Sequence, residues 1–597
     1  MKSLVDIMVD LECDSSNSNL HRFLKNNPKN FKQLRLNKSS LASPKLLRKL
    51  RSVKGLQSIY FIKDYKASPK ILLHALKNHR WYLKEASGLD VTLLEHFPNL
   101  SKFMLEIQNI QHLRVFAKIC GIQSLNINLI QPLETQNQAF PQCKILLNRF
   151  WRHLCSLKHL KNIQVNGINY DEALLYVLHE IETLCPLLEK LHSFILNLNF
   201  PNSRDISSKE FFFPNIFNYV TKIEVYDSML PASHYLFDNL KACSSLRSLS
   251  FQNIEYGNIN NYRKGVNSSL NFEPFKWFGQ LHKLQRLDIC IVLNYSANFD
   301  QFFEAFILPE SIESVRLVFQ RVNWNDIIQN LQEKQNDPDL FKQDQKCSFF
   351  YNKWQNLKNL TSLALKFELG ETCEAIPTFW FVAPLLKNIS SLKNLDFVNN
   401  LLMASDLNES LDMEYLFQTI DHFKHSLEKL WIEDKTISLK NLTDKSSLFP
   451  KLKDLMISGC LYGDKGLKDL IHSFTQESNN SINRSLHLRE LVIEDSQGLA
   501  NCIKALSHGN SHLNIKLQAS VTNLKSEDII SSLCSLALKG TKGYTISLYI
   551  RNFPKVEQCD LKVLDRLVRD YSVFKRLQIT LANRQSVYDF RMKHYND

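Results

Sequence analysis

The sequence predicts an α/β solenoid of parallel strands, and three observations predict it. A short apolar template, Leu-x-x-Leu-x-Leu, recurs over a dozen times in order along 597 residues. Most copies start 22–38 residues apart, 25 in the case of Leu427 and Leu452, which is room for one strand and one helix. Segments with helical apolar spacing, such as 414–423 and 466–474, fall between copies.

Each template copy is a strand prediction. Apolar residues at the fourth and sixth positions alternate with polar ones, the period of a strand with one buried face. The clearest copies start at Leu160, Leu246, Leu284, Leu360, Leu392, Leu427, Leu452 and Leu488; weaker ones start at Phe31, Leu56, Leu100, Ile122, Val220, Ile312 and Phe574. Their extent predicts a segment capping the N-terminal end over 1–30, a solenoid over 31–580 and a C-terminal tail over 581–597. Polar stretches at 256–274 and 332–346 interrupt the rhythm and are expected to be surface insertions. A core that lengthens by adding units explains how so long a chain needs no second fold.

The stretch "LKDLMISGCLYGDKGLKDL" (452–470) carries the most complete copy, with Cys460, Leu461, Gly466 and Leu470 after the strand. In this it resembles the leucine-rich-repeat superfamily, and its ribonuclease-inhibitor-like, cysteine-containing branch in particular. The copy at Leu392 has Asn400 in the Cys/Asn position, whereas other copies depart from it there. The resemblance implies a curved horseshoe with parallel strands on the concave face and helices outside. It also implies a structural Cys460 in the turn after the strand.

Composition narrows the function. Thirteen cysteines without paired spacing point to reduced thiols in the cytoplasm or nucleus. The N-terminus is broken by Asp6, Asp10, Glu12 and Asp14, unlike a secretory leader, and no apolar run is long enough to predict a membrane span. The net charge of +13 is concentrated: residues 1–84 carry 13 lysines and 5 arginines against 5 acids, and the remainder balances.

Catalytic signatures do not emerge. "KGTKGY" (539–544) lacks the spacing of a phosphate-binding loop, and neither a nucleophile elbow nor a zinc-protease helix occurs. His422 with His425, and His508 with His512, are pairs without a third ligand, so no metal and no cofactor is expected. The expectation is therefore a non-enzymatic scaffold that binds a protein partner.

On a horseshoe the fifth template position faces the concave surface. It holds Trp431, Met456 and Val492 in three copies, flanked by Glu433, Asp434, Glu494 and Asp495. An aromatic and aliphatic ladder with a charged rim has the make-up of a protein-binding hot spot. A Trp431 covered by its own neighbours is the competing reading. At the other end, Lys32, Arg35, Lys38, Lys63 and Lys102 predict a basic surface that is either a solvated face or a site for an acidic protein or nucleic acid. The concave surface is thus expected to run from basic to acidic. Three alternatives to a plain scaffold follow: a substrate-recognition subunit of a ubiquitin ligase, although residues 1–60 show no F-box pattern; polyanion binding through residues 15–84; and an enzyme whose site is assembled from distant repeats.

Overall fold

The computed structural model describes the following stretches, with a few isolated positions between them: 33–36, 56–61, 69–87, 96–107, 121–129, 157–167, 191–199, 214–226, 239–255, 273–292, 306–320, 357–368, 391–400, 411–412, 425–434, 437–438, 451–458, 461–462, 484–506, 513–523, 526–539, 545–551, 558–571, 576–582 and 587–591. The chain divides into two compact units, Met1–Ile254 and Glu255–Asp597.

In the first unit nine strands stack in chain order, every neighbouring pair parallel: β1 (Gln33–Leu36), β2 (Ser58–Phe61), β3 (Glu85–Ser87), β4 (Lys102–Ile107), β5 (Ser124–Leu129), β6 (Asn162–Gly167), β7 (Ser193–Asn199), β8 (Lys222–Tyr226) and β9 (Ser248–Glu255). Among the described residues, helix α1 (Pro69–Leu76) lies between β2 and β3 and α2 (Pro214–Tyr219) before β8.

The second unit continues the rhythm with its own ladder: β10 (Arg286–Val292), β11 (Ser314–Gln320), β12 (Ser362–Glu368), β13 (Asn394–Asn400), β15 (Lys429–Asp434), β17 (Asp454–Ser458), β19 (Arg484–Asp495), β20 (Leu513–Asn523), β21 (Thr545–Arg551) and β22 (Arg576–Ala582). Each pairs in parallel with the next. Two-residue strands β14 (Leu411–Asp412), β16 (Ile437–Ser438) and β18 (Leu461–Tyr462) form a short companion ladder that joins the second half of β19. Helices α3 (Ser496–Leu506), α4 (Ser526–Lys539) and α5 (Gln558–Arg566) connect β19 to β22, the crossover that parallel pairing requires. Strand β23 (Val587–Arg591), within the segment 581–597, then folds back antiparallel onto β22.

The repeat is defined by backbone chemistry as much as by leucines. In many of the described turns one carbonyl accepts two successive N–H groups from the next repeat. Gln285 O takes Glu313 and Ser314, Glu313 O takes Thr361 and Ser362, and Thr361 O takes Lys393 and Asn394, all at 2.8–3.1 Å. The residue at the leading position donates its N–H to a residue three places earlier, as Leu360 does to Leu357 and Leu284 to Leu281. That earlier residue is also buried, so the apolar pattern extends one step N-terminal of the template. Ser311, Ser391 and Ser426 cap the leading carbonyl of the preceding repeat at 2.7–2.8 Å.

The template residues form the core. Leu360, Leu363 and Leu365 are buried, as are Leu392, Leu395 and Phe397, Leu427, Leu430 and Ile432, and Leu452, Leu455 and Ile457. Strands β3, β20 and β21 lack a full template: Ala86, His512 and Gly543 stand where leucine would complete it, whereas β7 follows a further copy led by Leu191, with Phe194 in the fourth place as Phe103 is in β4. The helices expected at 414–423 and 466–474, the insertion at 332–346, the segment 1–30, Cys460 and the two histidine pairs (His425 apart) lie outside the described residues. Of the insertion at 256–274, its last two residues begin a 3-10 helix, Glu273–Gln280.

That 3-10 helix yields a packing test. A Cβ built on Gly279 would lie 2.7 Å from Ile307 Cγ2, closer than van der Waals contact. Gly279→Ala is therefore expected to destabilise the chain by about 1–3 kcal/mol in chemical denaturation, as overpacking does. Adding Ile307→Ala should recover part of that loss.

Candidate binding face

Strand alternation turns the positions between the buried ones to the opposite face of each ladder. In the second unit the register aligns one such row through seven strands: Asp288, Arg316, Ala364, Asp396, Trp431, Met456 and His487. Adjacent members are one strand spacing apart, about 4.8 Å.

Charges on this face alternate and pair. Arg316 Nη1 donates to both oxygens of Asp288, at 2.9 and 3.2 Å. One register step away, Lys366 Nζ lies 2.5 Å from Glu368 Oε1, and Gln320 Nε2 donates to Glu368 Oε2 at 2.8 Å. Partial burial pushes the Glu368 carboxyl up, but these two hydrogen bonds and the nearby cations outweigh it and hold it below the ordinary range. Over β10–β12 the surface is therefore mixed in sign, because cations lie beside carboxylates both across neighbouring strands and along one strand.

Asp396 is the exception. It is surrounded by Lys429, Arg316 and Lys366, yet burial outweighs their attraction and raises its pKa. Its Oδ1 is buried and, among the described residues, has no hydrogen-bond partner. On the next strand Trp431 is half-buried, its Nε1 likewise buried and without a partner among the described residues, with Lys429 Nζ 3.2 Å from the ring centroid. That cation–π contact holds the lysine over the indole.

The raised Asp396 pKa sets the sign of a pH effect. Between the ordinary aspartate value and the raised one, the folded chain binds more protons than the unfolded chain. Stability should therefore fall as pH rises through that window. Asp396→Asn should remove this dependence and leave the variant more stable than the parent at neutral pH, with the difference closing in acid. Thermal midpoints measured across the acidic to neutral range check it.

Two of the three expected ladder residues, Met456 and Val492, are placed differently from Trp431. Met456 is 5% exposed, because the register sets it between the indole of Trp431 and the imidazole of His487, two bulky neighbours at strand spacing. Val492 is not in the row at all: Met456 pairs with His487, and Val492 pairs with Leu461 and Ser520. The cause is a duplicated signal. Leu486/Leu488 and Leu491/Ile493 are two equivalent apolar pairs five residues apart, an odd step that cannot keep both on one face of a regular strand. β19 carries an extra residue between Leu488 and Leu491, a β-bulge, and the first pair docks against β17. Glu494 and Asp495 follow Val492 into this second half of β19. Glu433 stands two residues after Trp431, on its face, and Asp434 ends β15 opposite Asn399.

Of the expected basic end, Lys32, Lys38 and Lys63 lie outside the described residues, and Arg35 lies in β1. Lys102 is exposed but paired, 2.7 Å from Glu85 Oε1, and Tyr60 donates to Glu85 Oε2 at 2.6 Å. Partial burial raises the Glu85 carboxyl, but hydrogen bonds from Lys102 and Tyr60 prevail and keep it below the ordinary range. Sequence reasoning missed an amide ladder on the first unit. Asn166 Nδ2 donates to Asn126 at 2.6 Å, while Asn166 Oδ1 accepts from Gln164 at 2.9 Å and Asn197 at 2.6 Å. The signal was available: amide residues alternate with apolar ones at Asn126 and Asn128 of β5 and at Asn162, Gln164 and Asn166 of β6.

Among the described residues no group of three or more His, Cys, Asp or Glu could hold a metal ion, and no helix is long and apolar enough to cross a membrane. Burial pushes the Cys243 thiol far above its ordinary range, which keeps it a thiol rather than a nucleophilic thiolate. No protein-family model matches the chain, and no curated protein matches it.

Proposed function

We propose that the chain is a leucine-rich-repeat protein of the ribonuclease-inhibitor-like kind, a curved solenoid acting as a non-enzymatic scaffold in the cytoplasm or nucleus. Its protein partner docks on the row Asp288–His487. The observation that carries this reading is a contrast within the second unit. The buried positions repeat the same aliphatic and aromatic residues, whereas the opposite face changes from Asp to Arg, Ala, Asp, Trp, Met and His at fixed pitch. Stability asks nothing of that variety, and a specific protein surface does. The half-buried indole offers an anchor, and the Arg316–Asp288 and Lys366–Glu368 pairs offer a polar rim.

The test is differential capture from native extract with the full chain, its Trp431→Ala variant and an Arg316→Glu variant. Partners held by the parent and lost by both variants, with circular dichroism unchanged, support the reading. An identical set on all three would move the site elsewhere.

A further inference from the structure

Among the described residues the large hydrophobic side chains left exposed are Trp81, Tyr82, Leu538 and Val563. The two aromatics are consecutive, 62% and 56% exposed. They occupy the two places before Leu83, the leading buried residue of their repeat. In the repeats led by Leu100, Leu246, Leu284 and Leu360 the same two places hold Pro98–Asn99, Ser244–Ser245, His282–Lys283 and Lys358–Asn359. The turn accepts small and polar residues in those repeats, so its geometry does not call for rings here.

The backbone beneath the rings is held. Tyr82 and Leu83 both donate their N–H groups to His79 O, at 2.9 and 3.0 Å. Asn99 Nδ2 donates to Trp81 O at 2.7 Å, just as Asn359 donates to Glu310 O at 3.0 Å. Two aromatic faces are thus presented to solvent from an ordered turn, which lowers the entropy cost when something stacks on them.

The surroundings are cationic. Residues 65–84 contain Lys66, Lys70, Lys77, Arg80 and Lys84 and no acid. Lys70, Lys77, Arg80 and Lys84 are exposed, and the Arg80 guanidinium lies 5.1 Å from the Trp81 ring centroid. The nearest following acid, Glu85, is engaged by Lys102 and Tyr60, so among the described residues no carboxylate pairs with these cations.

Rigid exposed rings beside unneutralised cations match a ligand that brings flat π-faces and negative charge together. An acidic peptide brings charge without the faces, a duplex hides its faces in the stack, and a membrane rewards more apolar area than two rings supply. We propose that the Lys77–Lys84 turn is a stacking platform for single-stranded nucleic acid, with Trp81 and Tyr82 taking bases and Lys77, Arg80 and Lys84 taking phosphates. This surface is separate from the row on the second unit, and either reading can fail alone.

The experiment is fluorescence anisotropy of labelled oligouridylate and oligothymidylate, about one OB-fold site size in length, titrated with the full chain at low salt. Saturable binding is expected. The double variant Trp81→Ala/Tyr82→Ala should weaken it at least about tenfold with circular dichroism unchanged. Trp81→Phe/Tyr82→Phe should restore most of it, which a purely electrostatic site would not require. Lys77→Gln with Arg80→Gln should flatten the salt dependence by roughly 0.7 for each phosphate no longer neutralised, while the ring variants leave that slope alone. The proposal is overturned by wild-type affinity in the double alanine variant, by equal competition from duplex, or by the absence of saturable binding. Ring-dependent binding to phosphatidylserine vesicles or to an acidic peptide in place of the oligonucleotides would overturn it too.

Discussion

Phe367→Ala is expected to destabilise the chain by about 3–5 kcal/mol, the largest stability loss of any single change considered. Phe367 is 2% exposed and stands in the middle of three rings. Its centroid lies 5.4 Å from Phe319 in a stacked arrangement on one side and 6.0 Å from Phe397, tilted, on the other. Truncation opens a cavity and breaks two ring pairs at once, each worth about 0.5–1.5 kcal/mol beyond area burial. Because a ladder of repeats couples each strand mainly to its neighbours, damage should begin in β11, β12 and β13 and spread outward. Denaturant titration gives the magnitude, and hydrogen exchange over 314–400 gives the location. Phe367→Leu refills most of the volume and should lose much less. Unchanged protection in those strands after Phe367→Ala would contradict the assigned core.

Trp431→Ala is expected to weaken the protein partner at least about thirtyfold once that partner is in hand, since a truncated interface tryptophan commonly costs about 2 kcal/mol or more. The fold should survive, because Leu430 and Ile432, not Trp431, face the core of that repeat. Lys429→Ala is the informative companion. It frees the indole of the ammonium that now lies 3.2 Å above it, so it should alter affinity less than loss of the ring and change the salt dependence of association. Titration of both variants, with circular dichroism as the folding control, separates the outcomes. A folded Trp431→Ala chain that binds normally removes this row from consideration. An unfolded one makes the indole part of the core.

The strands were legible where the template was whole. Leu284, Leu287 and Ile289, or Leu360, Leu363 and Leu365, announce a buried face by spacing alone, and those residues are buried. The reason is local: a side-chain period of two needs no knowledge of the partner strand. Legibility failed at β19, where Leu486/Leu488 and Leu491/Ile493 satisfy the same local rule. Only pairing with β17 on one side and β20 on the other selects between them. Met456 shows the limit for exposure, since its strand position is readable but the bulk of its two lateral neighbours is a property of register.

Charge divides in the same way. The concentration of lysine and arginine in residues 1–84 is a matter of counting. That Lys102 meets Glu85, 17 residues away, while Arg80 and Lys84 meet no acid in their own turn, depends on which strands lie side by side. Likewise nothing in "LDFVNN" marks Asp396 as a carboxyl raised by burial; its position among Arg316, Lys366 and Lys429 arises from strands up to 80 residues apart in sequence. Sequence by itself determined the repeating parallel strands and the residues that fill their core, because burial follows a local period. Tertiary structure alone decided the register of β19, the mixed sign of the candidate face and the exposure of the Trp81–Tyr82 turn, because each depends on groups that pairing brings within a few ångströms.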